Sequence, residues 1–230
     1  MPIDLIGINN ENEFYTHHYL TAILEGDLKP VFETWSKLER PPWDGLRRLA
    51  APFSQMRKEL AATSDPAERL VLQRDWFSEL FTVLGYSLSP DAVELEDGFL
   101  LSLAGQIKRS DGRPELWILE SLDESDEEDP LVSKEDLLTK QVFAAAEPPR
   151  WVILYGGVQV LLLDRTKWPA KRLLRFELDQ ILGRHESSTL RATAALLHRE
   201  SVCPAGKISL LDTLDENSHK HAFAVSEDLK

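Results

Sequence analysis

ELWILES (115–121), an acidic stretch, KEDLLTKQVFAAAE (134–147) and WVILYGGVQVLLL (151–163) follow one another in this chain, and their order decides the fold. ELWILES is apolar with a β-favouring Trp-Ile centre, and it reads as a strand that ends at Glu120. Pro130 and Ser133 introduce a helix over 134–146, with Glu135 and Asp136 in the first turn, where the helix dipole favours negative charge. Glu147-Pro148-Pro149 ends it. WVILY and VQVLLL are then joined at Gly156-Gly157, a two-residue hairpin signal.

Working outward toward the N-terminus, AVEL (92–95), the turn Glu96-Asp97-Gly98, FLLSLAGQIK (99–108) and the turn Ser110-Asp111-Gly112 complete a three-strand meander with ELWILES. Two helices precede it. Leu46, Leu49, Ala50, Phe53, Met56 and Leu60 recur at helical spacing over 43–62. Ser64 or Asp65 caps the second, Pro66 suits its first position, and Gly85 stops it. Residues 9–40 read as two short helices, the first capped by Asn9, Asn10 or Asn12 and ended by Gly26, the second starting at Asp27. After Phe176 the pattern is helical again to the end. The expected class is therefore α/β (α+β), divided into a helical segment at 1–63, an α/β core at 64–176 and a helical connector at 177–230.

Composition sets the outer limits. The chain has 230 residues, 43% of them hydrophobic, with six Trp and nine Phe, enough for a sizeable core. No apolar run approaches the ~20 residues that span a bilayer, and MPIDLIGINN has no secretion-signal pattern, so a cytoplasmic protein without membrane contact is expected. Cys203 is the single cysteine, which excludes an internal disulfide and a Cys-based zinc cage. A net charge of −13 argues against a chain that grips nucleic acid over its whole surface. The charge is unevenly distributed, however. Six acids fall within Asp123–Asp129, whereas Arg165, Lys167, Lys171, Arg172 and Arg175 crowd one short segment. That run, with Trp168, is either a DNA-phosphate patch or a charged loop and edge strand that discourages aggregation.

The strand, helix and hairpin order is that of a metal-dependent nuclease core, which needs an acid on its second strand and an acid-x-Lys on its third. Glu120 fills the acidic position, but Leu122 stands where the lysine belongs. Leucine neither polarises water nor pairs with phosphate. FLLSLAGQIK supplies no carboxylate, leaving Asp97 and Asp111 in the flanking turns and Glu79 on the preceding helix as alternative acids, with Lys108 as a lysine from another strand. Gln141 holds the place of a helix glutamine common in such nucleases, yet Ala145 replaces the tyrosine that follows it. His219 and His221 point to different helix faces and assemble no metal site by themselves. No glycine-rich phosphate loop, no GxSxG elbow and no zinc pattern is present.

PELWILES, KQVFAAAEPPRWVILYGGVQVLLLDR, FELDQILGR, ALLHRESVCP and LLDTLDENSHKHAFAVSEDLK, in this order, resemble the N-terminal region of bacterial type IIG restriction-modification methylases and of related phage-defence methylases of the BREX and DISARM systems. The opening GINNENEFYTHHYLTAILEGDLKPVFETW is similar to their start. The resemblance implies a PD-(D/E)XK restriction-endonuclease-like domain, a helical connector, a methyltransferase domain that transfers methyl from S-adenosylmethionine to an adenine amine of double-stranded DNA, and a target-recognition region. The family's cofactor loop and its Asn-Pro-Pro-aromatic motif are absent from these residues, so methyl transfer is not expected within them.

The expectation is thus a degenerate nuclease core, not catalytic by itself and without a cofactor or metal of its own, that contacts DNA or defence-system subunits on behalf of a larger adenine methyltransferase. An active magnesium-dependent nuclease, with Glu120 joined by Asp97 or Asp111 and Lys108, is the rival from the enzyme class. A protein-interaction module that docks through the acidic loop is the third reading.

Overall fold

A computed structural model of the chain describes residues 5–95, 98–122 and 129–228. Asp97 and residues 123–128 of the acidic loop lie outside them, as does Leu229. The strands are β1 (Ile8–Glu11), β2 (Asp91–Glu94), β3 (Leu100–Leu103), β4 (Gly105–Lys108), β5 (Pro114–Glu120), β6 (Trp151–Gly156), β7 (Gln159–Asp164) and β8 (Leu173–Glu177). Six of them form a mixed sheet ordered β1-β8-β7-β6-β5-β4, and β2 and β3 form a separate ribbon. Only β5 and β6 run parallel; every other described pair is antiparallel.

The sheet is covered on both faces, which is why its central strands are continuous apolar runs rather than alternating ones. Leu116 and Ile118 of β5, Ile153 and Tyr155 of β6, and Val160 and Leu162 of β7 enter one core. Trp117 and Leu119, Val152 and Leu154, and Leu161 and Leu163 enter the other. The first core is roofed by α1 (Leu24–Trp35), α2 (Pro42–Ala62), α3 (Pro66–Val83), α5 (Leu178–Arg184) and α6 (Ser187–Leu197). The second is closed by Leu138 and Val142 of a π-helical turn (Leu138–Val142), which follows the short α4 (Glu135–Leu137), and by Leu101 and Leu103 of the ribbon. Residues from all three expected segments share the first core, from Ile8 to Leu214.

Local chemistry explains the elements that follow the sequence reading. Pro66 opens α3, and Asp65 caps it by accepting from the Ala67 amide at 2.9 Å, a contact of about 1 kcal/mol. Gly85, at φ +79°, takes the left-handed conformation just past its end. The hairpin is present, with its turn one residue later than expected: Gly156 still pairs with Gln159, and Gly157 turns the chain at φ +53°. Gly156 has its own reason to be glycine. A Cβ there would lie 1.8 Å from the Ser121 carbonyl oxygen, where the end of β5 crosses β6.

Several expectations are corrected. Residues 9–40 do not form two helices: residues 8–11 are β1, and α1 runs through both Gly26 and Pro30. Asn10 caps no helix; its side chain accepts from the Tyr15 amide and donates to the Tyr15 carbonyl, which folds the loop after β1. FLLSLAGQIK is not one strand, because the chain bends at Ala104 and divides into β3 in the ribbon and β4 in the main sheet. The helix expected over 134–146 is shorter, ending by Val142. Residues 173–177 are not an edge strand; β8 lies between β7 and β1.

Beyond β8 the chain is helical, with α7 (Arg199–Val202) and α8 (Leu210–Asp228) last. Leu211 and Leu214 bury α8 against the N-terminal loop, where the Tyr15 hydroxyl donates to the Leu211 carbonyl at 3.5 Å. Among the described residues, no helix is long and apolar enough to cross a membrane.

Candidate functional site

Glu120 is the last residue of β5 and stands beside Tyr155 of β6 in the parallel register. Above this strand end lies α3, fixed by Trp76, Phe77, Leu80 and Phe81, which are all buried. The Phe77 and Phe81 rings pack on Tyr155 at centroid distances of 4.6 and 5.1 Å. With that face buried, Arg74, one turn before Phe77, projects over the end of β5.

Arg74 clamps Glu120 with two donors. Its Nε donates to Oε2 at 3.0 Å and its Nη2 donates to Oε1, the paired geometry that gives arginine its fit to a carboxylate. The Tyr155 hydroxyl donates to Oε2 at 3.3 Å. Hydrogen bonding to Glu120 raises the Arg74 pKa above its ordinary value. Burial, and then the Glu120 charge, push the Tyr155 phenol well above its usual range, so it remains a neutral donor. The Glu120 side chain is 29% exposed and Arg74 50% exposed, so the pair sits at the mouth of the fold.

The mouth is a cleft of about 540 Å³ lined by Arg74, Asp75, Ser78, Asp91, Glu120 and Tyr155 among others. Asp91, the first residue of β2, is held below the usual carboxylate range by the Ala92 amide and then by the Gln106 side chain. Chemically this is an acidic recess whose central carboxylate already has a cation. A divalent metal there would have to compete with the Arg74 guanidinium for the Glu120 charge. Among the described residues, no group of three or more His, Cys, Asp or Glu converges to hold a metal ion. Leu122 packs against the first core, so no amine takes the place that a nuclease lysine would occupy.

The other candidate residues fall elsewhere. Glu79 is exposed, and five residues at 100° each carry it about 140° around α3 from Arg74, away from Glu120. Asp75 and Ser78 face the cleft in its stead. Lys108 pairs with Pro114 at the start of β5, about 20 Å from Glu120 at the usual strand rise. Asp111 lies beyond that same end, where its carboxylate accepts from the Arg113 amide at 3.0 Å. Neither Lys108 nor Asp111 comes together with Glu120. Gln141 is exposed on the π-helical turn. Among the described residues, His219 meets Asp215 at 3.7 Å, and His221 joins no group that could hold a metal with it.

The basic run 165–175 divides as well. Arg175 is buried in the sheet, where it donates to Glu11, Gln159 and, at 2.9 Å, Asp129. Lys167 is buried under the N-terminal loop. It donates to Asp215 and, at 2.7 Å, to the Phe14 carbonyl, with its ammonium over the Phe14 and Tyr15 rings. Lys171 lies over Trp168 and bridges to Glu135 at 2.9 Å and Thr139 at 3.0 Å. These three cations hold elements together and form no open phosphate patch. Arg172 is half-buried; Arg165 is exposed.

Reading the sequence alone misses Arg74, Asp75, Asp91 and Tyr155. Tyr155 carried a signal, being the polar-tipped residue at the hairpin end beside the expected strand. Arg74 carried none, because its partner is 46 residues away.

Comparison with protein-family models, with curated proteins and with solved structures found no match to this chain.

Proposed function

We propose that this chain is a non-cleaving, PD-(D/E)XK-type segment of a larger S-adenosylmethionine-dependent adenine DNA methyltransferase of restriction-modification or phage defence, contributing DNA contact or assembly. The observation that carries the reading is the Arg74–Glu120 clamp at the carboxyl end of β5. In a nuclease of this topology that carboxylate must hold a hard cation next to a lysine. Here arginine neutralises it, and Leu122 replaces the lysine. The antiparallel β4-β5 pair, the helical crossover and the parallel β5-β6 pair support the nuclease-type order.

The test is direct. The chain is incubated with supercoiled and linear DNA in magnesium and in manganese, and no cleavage above background is expected. Cleavage by the wild type that disappears in Glu120→Ala would refute the reading and restore the active nuclease.

A further inference from the structure

The end of the sheet opposite Glu120 has its own charge pattern, formed by residues that are far apart in sequence. A cleft of about 770 Å³ is lined there by Lys108, Arg109, Arg199 and Lys207 among others. A second, of about 340 Å³, shares Arg109 and adds Arg113, Arg150 and Arg165. Together the two linings hold seven Lys and Arg against three carboxylates, Glu115, Glu147 and Asp212, on a chain of net charge −13. Topology creates this concentration. β4 ends, β5 begins, β6 begins and β7 ends at the same edge, so four neighbouring strands deliver Arg109, Arg113, Arg150 and Arg165 in a row.

The cations differ in how fully they are already satisfied. Arg150 is structural: it bridges Asp164 at 2.8 Å and Asp212 at 3.1 Å and lies over Trp151. Arg109, Arg113 and Arg199 touch acids close to them in sequence, Glu115, Asp111 and Glu200. Lys108, Arg165 and Lys207 are exposed and form no ion pair among the described residues. Three strand spacings of ~4.8 Å make the row about 14 Å long. Over that length a DNA duplex presents about eight phosphates.

We propose that this double cleft is a docking surface for the sugar-phosphate backbone of duplex DNA. Its lining contains no Phe, Tyr or Trp. Single-strand surfaces stack bases on aromatic rings, whereas backbone contact to a duplex needs only arranged cations. The surface rests on the reading of the chain as DNA-facing, but not on the residues of the acidic cleft. It also differs from the 165–175 run, sharing only Arg165 with it.

Binding of the full chain to a 20-base-pair duplex of arbitrary sequence, to one of its single strands and to the matching RNA duplex is measured by fluorescence anisotropy across a salt series. The variant is Lys108→Glu/Arg165→Glu/Lys207→Glu, and the charge-matched control is Arg48→Glu/Arg57→Glu/Lys58→Glu on the exposed face of α2. The expected result is duplex DNA bound more tightly than the single strand. The variant weakens duplex binding by about 30-fold or more and lowers the salt slope by about three, one for each lost phosphate contact, while the control stays near wild type. RNA duplex bound as well as DNA identifies the shared phosphate chemistry as the determinant and supports the surface. Unchanged binding in the variant, equal weakening in the control, or a preference for the single strand overturns it. Circular dichroism of the variant confirms its fold. Glu120-dependent cleavage alongside groove-dependent binding would refute the proposed function and leave this surface standing; cleavage-free DNA binding indifferent to the variant would do the reverse.

Discussion

The two ends of β5 carry opposite charge, and the charge is handled differently at each. At the carboxyl end, Asp75, Asp91 and Glu120 share a recess with Arg74, which closes on the central carboxylate. At the amino end, Arg109 and Arg113 stand with Lys108, Arg165 and Lys207, the last three of which form no ion pair among the described residues. Open α/β sheets place ligands beyond the carboxyl ends of their parallel strands. In this molecule the central carboxylate of that end is paired with arginine while Asp75 and Asp91 keep the recess acidic, and the cations that form no ion pair among the described residues, Lys108, Arg165 and Lys207, lie at the other end. Strand position alone thus locates candidate chemistry less reliably than the pairing state of each side chain does.

The largest expected effect breaks the carboxyl end. Gly156→Ala places a methyl against the Ser121 carbonyl, a backbone atom that cannot swing aside. The loss should be at least about 3 kcal/mol in urea unfolding, with the end of β5 pushed off β6. An unchanged midpoint would mean that this end is loose and that the contrast with the amino end is not one of rigidity.

A second effect, from the amino end, is read through pH. Cys203 lines the larger basic cleft, and burial pushes its thiol up to about 12 despite the nearby Arg199 and Arg109. The same thiol in the unfolded chain ionises near ~8.5. Its folded pKa is raised, so the stabilisation is complete below the unfolded pKa and is lost as pH rises toward the folded one. About 1 kcal/mol should therefore disappear between roughly pH 8.5 and 9.5, before the bulk of tyrosine ionisation near ~10. Urea titrations at those two pH values measure it, and Cys203→Ala should flatten the difference.

The smallest effect sharpens the comparison most. Arg74→Ala removes a clamp that is half in solvent, so it should cost no more than about 1 kcal/mol in thermal or urea unfolding. A larger loss would make the clamp a keystone of the fold and not a local neutralisation of one carboxylate.

Much of the fold was legible because local signals agreed with one another. Pro66, the helical run to Leu84 and Gly85 mark α3 without reference to the rest of the chain, and the runs WVILY and VQVLLL name a hairpin. β1 was not legible. Ile-Asn-Asn-Glu has weak strand propensity, and only its pairing with β8 makes it a strand. β8 itself was hidden at the end of a basic run whose last charge, Arg175, is buried by partners from residues 11, 129 and 159. The site divides the same way. Glu120 and Leu122 could be read from strand position, whereas Arg74 over Glu120 and the row of cations across four strand ends are products of tertiary folding.

The pairing of β1 with β8 also sets a clock. Ile8 has no partner until Phe176 has been synthesised, which at ~5–20 residues per second leaves the first strand waiting about 10–30 s on the ribosome. During that interval the side of β1 that will meet β8 is an unpaired edge, and the nascent chain must be kept from finding another strand first.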